Sequence, residues 1–142
     1  MTSKFALVIA NSKYQDKSLD KLAAPSKDAK DFSHMLGHPN LAAFDNVQVL
    51  LNKSESETRR TISRFFANRK QDDLLLLYFS GHGIRSEQGQ LFLAASDTEK
   101  DILDFDLKLK ENPKNLFENH LQFATKPPPA LNEDDIEILQ IF

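Results

Sequence analysis

The order of segments along this 142-residue chain predicts an α/β domain with a mostly parallel sheet and helices on both faces. Three apolar runs, residues 5–10, 47–51 and 74–79, read as strands. Two stretches with apolar side chains at helical spacing separate them. The first run is continuously apolar, as suits a strand buried on both faces of a parallel sheet.

Phe5-Ala6-Leu7-Val8-Ile9-Ala10 opens the series, and the polar, turn-rich residues 11–22 follow it. Ser26 is the expected cap of a helix in which Ala29, Phe32, Met35 and Leu36 recur on one face. Gly37-His38-Pro39-Asn40 ends it, because Pro39 restricts its predecessor and has no amide to donate. Val47-Gln48-Val49-Leu50-Leu51 is the second strand. Ser54 followed by Glu57 has capping-box spacing and starts a second helix, whose apolar face is Ile62, Phe65 and Phe66 and which runs toward Arg69. Asp72-Asp73 leads into the third strand, and residues 91–95 form a small strand expected close to it.

The rest of the chain is less regular. Residues 101–110 alternate weakly, 115–123 fit a helix, and Lys126-Pro127-Pro128-Pro129 reads as an extended linker. Residues 136–142 fit a last strand. A boundary falls near Thr98. Residues 1–98 hold 11 acidic and 13 basic side chains, whereas 99–142 hold 10 and 5, and no glycine follows Gly89. The two parts are therefore expected to be a principal unit, 1–98, and an acidic tail, 99–142.

Hydrophobic content of 40% and charged content of 27% fit a soluble globular chain. A net charge of −3 argues against a nucleic-acid partner, and no apolar stretch is long enough to span a membrane. With no cysteine there is no disulfide framework, so a reducing, cytoplasmic setting is the expectation. No cofactor is expected. His34 and His38 have metal-ligand spacing but no third ligand, and Asp101, Asp104 and Asp106 do not fit an EF-hand loop, so no metal is expected either.

The chemistry concentrates where the third strand ends in Ser80-Gly81-His82-Gly83. Ligands of open α/β sheets bind beyond the carboxyl ends of strands. Glycines there allow a sharp turn and close approach of a substrate. An imidazole at that edge can take a proton from a nucleophile and return it to a leaving amine. The Gly83 amide is a candidate donor to a developing oxyanion.

Several pieces surround this corner in order: residues 6–11 followed by Ser12-x-Tyr14, then Leu22-Ala23-Ala24-Pro25-x-x-Asp28-Ala29, residues 72–83, and Leu91-Phe92-Leu93-Ala94-Ala95-x-Asp97-Thr98. Together they make residues 5–98, about two thirds of the chain, resemble the first half of a bacterial caspase-like domain, the peptidase C14 family related to metacaspases. The resemblance implies a caspase-like three-layer sandwich, here incomplete. It implies cysteine endopeptidase activity by a His/Cys dyad, with His82 as the catalytic histidine and Gly83 as the oxyanion-hole amide. Asp28 matches the acidic residue that receives a substrate Arg or Lys in metacaspases. Caspases use an arginine in this part of the chain to receive aspartate, and the neighbouring basic residue here is Lys27.

In that family a second apolar strand carries the nucleophile, about 50 residues beyond the histidine in caspases. The corresponding region here, Ala130-Leu131-Asn132-Glu133, has neither cysteine nor glycine. Ser96, Thr98 and Thr125 are the hydroxyl side chains after Gly89, and none lies in a strand-then-glycine setting. The isolated chain is therefore expected to be inactive. It either supplies His82 and Gly83 to a site completed by a partner chain bearing the cysteine, or serves as a pseudoprotease interaction module. An unrelated binding domain sharing a glycine corner is the third reading.

Overall fold

The computed structural model describes residues 2–85, 91–100 and 136–141, the last segment as backbone. The expectations for residues 101–135, including the weak alternation, the second-half helix, the linker and the acidic triplet, lie outside the described residues.

A four-stranded sheet forms the centre. Its strands are β1 (Lys4–Ala10), β2 (Asn46–Leu51), β3 (Leu74–Gly81) and, last in the chain, Ile136–Ile141. Two helices connect the first three, α1 (Pro25–Gly37) and α2 (Glu55–Phe66). A separate two-stranded ribbon, β4 (Gly83–Arg85) with β5 (Leu91–Leu93), follows β3, so Ile136–Ile141 is β6. The sheet order is β2-β1-β3-β6, with β1 parallel to both β2 and β3 and β6 antiparallel to β3. The small strand expected close to the third is β5, which pairs with β4 in the ribbon while Leu91 and Leu93 pack against the cluster that holds Leu75, Leu77 and Phe79 of β3.

The period-two alternation of β1 builds both halves of the core. Leu7 and Ile9 pack with Leu75, Leu77 and Phe79 of β3 and with Ile62 and Phe65 of α2. Ala6, Val8 and Ala10 pack with Leu76 and Tyr78 and with Ala29 and Leu36 of α1. Helix, sheet and helix are thus three layers. Small side chains at Ala6, Ala10 and Ala29 allow α1 a close approach, and Phe32 closes the layer on Tyr78 with ring centroids 4.8 Å apart. Met35, expected on the same apolar face, is 42% exposed. It sits near the helix end, where the buried stripe has narrowed to Leu36.

The two helix starts differ from each other. At α2 the Ser54 hydroxyl accepts from Glu57 N at 3.2 Å, as its spacing predicts, and Asp97 Oδ1 accepts from Glu55 N at 2.7 Å. The Glu57 carboxylate lies 3.9 Å from Lys53 Nζ and does not close the capping box. Helix α2 stops at Phe66 rather than reaching Arg69, whose guanidinium covers the Phe5 ring at 3.8 Å.

At α1 the expected cap is corrected. The helix begins at Pro25, whose missing amide suits the first turn, with Ala24 at the cap position. Ser26 is already helical, and its amide donates to Ser12 Oγ at 3.0 Å. The cap therefore comes from the loop after β1. The Ser12 and Ser26 hydroxyls share a further hydrogen bond at 2.8 Å.

Candidate functional site

The site lies at the carboxyl ends of β1 and β3, where the chain crosses three times within hydrogen-bond distance. Asn11 N donates to Ser80 O at 3.0 Å, which carries the β1–β3 pairing one residue past the strand. The loop that follows is pinned at both sides. Asn52 Oδ1 accepts from Ser12 N and Lys13 N at 2.8 and 3.0 Å, and Asn52 itself adopts φ 54°, a left-handed conformation that asparagine tolerates. Gln15 N donates to Ser96 O at 2.8 Å, and Leu22 N to Ser12 O at 2.9 Å. Asp16 accepts from Ser18 N, Ser18 Oγ and Lys100 N, which holds its carboxyl below the usual carboxylate range.

This loop delivers two groups to His82. The Tyr14 hydroxyl accepts from His82 N at 2.8 Å and donates to Asn11 O at 2.8 Å, while the Tyr14 ring lies 4.8 Å from the imidazole at a 55° tilt. The Asp20 carbonyl lies 2.6 Å from His82 Nε2. A carbonyl oxygen only accepts, so Nε2 carries the proton, and in the neutral ring Nδ1 is the basic nitrogen. His82 is buried at 4% exposure.

The ribbon closes the other side. His82 O accepts from Ala94 N at 2.9 Å, and Ala94 O accepts from Asn11 Nδ2 at 2.9 Å. His82 and Ala94 thus continue the antiparallel register of the ribbon through the single bond from Ala94 N, while the His82 amide goes to Tyr14. The alternation of bonded and non-bonded pairs makes Gly83 and Leu93 the non-bonded pair, so the Gly83 amide points away from β5. Burial of Tyr14 pushes its hydroxyl up to about 12 against a smaller opposing effect of the His82 amide.

His82 and Gly83 line one small cavity of about 190 Å³ with residues 18–20, Ile84, Arg85 and Lys100. Of these described lining residues only Ser18 carries a hydroxyl, and it donates to Asp16 Oδ1 at 2.7 Å. Ser96 and Thr98 do not line it. Thr98 Oγ1 is occupied by the Ala95 amide at 2.8 Å. Asp28 and Lys27 are exposed in the first turn of α1 and are not brought to the cavity. A carboxylate in that turn is favoured by the helix dipole whatever else it does.

His34 and His38 lie edge to face with centroids 6.4 Å apart. Among the described residues no group of three His, Cys, Asp or Glu side chains is placed to hold a metal ion. No described helix is long and apolar enough to cross a membrane.

Sequence reasoning gave no role to Tyr14, Asn11 or Asp20. Tyr14 and Asn11 did carry a signal, since Asn11-Ser12-x-Tyr14 is one of the pieces that support the resemblance. Asp20 carries none, because its contribution is a backbone carbonyl that any residue supplies.

A family model described as the caspase domain matches residues 3–140 of the chain. A search of curated proteins returned no match.

Proposed function

The chain belongs to the caspase-domain family, and from that membership we propose that it is a catalytically silent member, an interaction module that retains the histidine half of a peptidase site. The family's chemistry joins a histidine at the end of one strand to a cysteine carried by another. No cysteine occurs in the 142 residues.

The direction of β6 is the observation that carries the reading. A strand beside β3 brings its following turn to His82 only if it runs parallel to β3. Here Ile136 pairs with Gly81 and Ile141 with Leu76, so chain following β6 emerges at the far end of β3. At about 3.3 Å per residue that is roughly 16 Å from the histidine corner. The cavity's one described hydroxyl, on Ser18, gives its proton to the Asp16 carboxylate at 2.7 Å.

A second reading has its own support. The Asp20 carbonyl holds Nε2–H and leaves Nδ1 basic, which is the state a general base needs. On this reading His82 and Gly83 serve a thiol carried by another polypeptide.

The purified chain is expected to leave Arg-, Lys- and Asp-containing fluorogenic peptides uncut. Turnover that disappears in His82→Ala would overturn the silent reading. Turnover that appears only when a cysteine-bearing polypeptide encoded alongside is added, and disappears in His82→Ala, would establish the composite site instead.

A further inference from the structure

We infer that Tyr14 is the positioning residue of the histidine corner, and that its hydroxyl and ring hold His82 in the orientation that puts Nε2 on Asp20 and leaves Nδ1 basic. Every hydrogen bond of that hydroxyl has a determined direction. Asn11 O can only accept, so the phenol proton goes there, and a lone pair faces the His82 amide.

The remaining contacts converge on the same point. The Tyr14 ring lies 4.8 Å from the imidazole, and six residues later the same loop supplies the Asp20 carbonyl. One loop thus grips the backbone, the ring face and the ring nitrogen of one side chain. Asn11 ties the assembly to the ribbon through Ala94 O, and Ala94 N returns to His82 O. The neighbouring backbone accommodates the phenol. A Cβ at Gly81 would lie 2.7 Å from Tyr14 Oη, so a side chain there and the hydroxyl compete for one volume. Burial pushes the phenol up to about 12, so at neutral pH its proton stays available to Asn11 O.

The inference concerns the state of the imidazole and uses no cleavage step. Its failure would leave the reading of function intact, and detection of cleavage would leave it intact in turn.

The test is nitrogen-15 NMR of the His82 ring and amide in the wild type, Tyr14→Phe and Tyr14→Leu, at a pH where imidazole is neutral. The wild type is expected to show a single Nε2–H tautomer. Tyr14→Phe loses the hydroxyl grip but keeps a ring. It should give mixed tautomers and roughly tenfold faster exchange of the His82 amide, the loss of about one net hydrogen bond. Amides of β1 should stay as protected as before, and Tyr14→Leu should exceed Tyr14→Phe at His82. A wild-type tautomer pattern and unchanged His82 exchange in Tyr14→Phe would overturn the inference and leave Tyr14 a filler of space. If the variants unfold, the wild type still decides. A slowly exchanging Tyr14 hydroxyl proton supports the grip, and one that exchanges as freely as an exposed phenol refutes it.

Discussion

Gly81 stands where an added Cβ would meet Tyr14 Oη at 2.7 Å, Phe79 Cζ at 3.2 Å and Asn11 O at 3.3 Å. From sequence, a glycine before the histidine reads as room for a turn and a substrate. The fold fills that room with its own tyrosine. Gly81→Ala should therefore destabilise by about 1–3 kcal/mol, the range for overpacking. In a Tyr14→Phe background the same change should cost less, because the closest obstacle is gone, and a double-mutant cycle by denaturant unfolding measures the difference. The phenol also predicts an alkaline effect. Its pKa is raised from 10.0 to about 12, chiefly by burial. The associated stability is complete below pH 10 and is lost as pH rises through about 12, since the unfolded tyrosine ionises first. Unfolding curves recorded across that window should show a smaller loss in Tyr14→Phe than in the wild type.

The helices show which local signals survive folding. Ser54 and Glu57 lie three residues apart, so their hydrogen bond is written in adjacent sequence and was legible there. The α1 cap comes from Ser12, fourteen residues before Ser26, and no local pattern encodes it. Ser12→Ala should thus destabilise by about 1 kcal/mol, and Ser26→Ala by less, because the Ser26 amide keeps its acceptor in the second variant. Asp97 does for α2 what Ser12 does for α1, from beyond β5. Ser54→Ala and Asp97→Ala should each cost about 1 kcal/mol in thermal or denaturant unfolding. The ribbon was half legible. The apolar piece at residues 91–93 is a strand, but its partner β4 is only the three residues Gly83–Arg85, too short a run to read as a strand.

In the molecule as a whole, β1 is the strand on which both apolar layers close. Leu7 is fully buried and Ile9 is 2% exposed. Leu7→Ala or Ile9→Ala should lower stability by about 2–5 kcal/mol, well above any cap. The antiparallel placement of β6 bears on function, and NMR can examine it directly. Contacts between α-protons across Phe79 and Ile138, or across the adjacent pair Ser80 and Glu137, are expected from the register. Their replacement by the pattern of a parallel strand would remove the main support for a silent domain.

Several properties followed from the sequence alone: the three leading strands, the two helices, the α/β class, the family resemblance and the histidine at a strand end. Periodicity and adjacency record burial and local hydrogen bonds, and these depend on residues near one another in the chain. Tertiary structure alone decided the direction of β6, the cap of α1, the tautomer of His82 and the reason for glycine at position 81. Each depends on a partner distant in sequence: β3 for β6, Ser12 for Ser26, the Asp20 carbonyl for Nε2 and the Tyr14 hydroxyl for Gly81. A backbone carbonyl or a strand's direction leaves no mark on residue type, so these features became visible only once the chain had closed on itself.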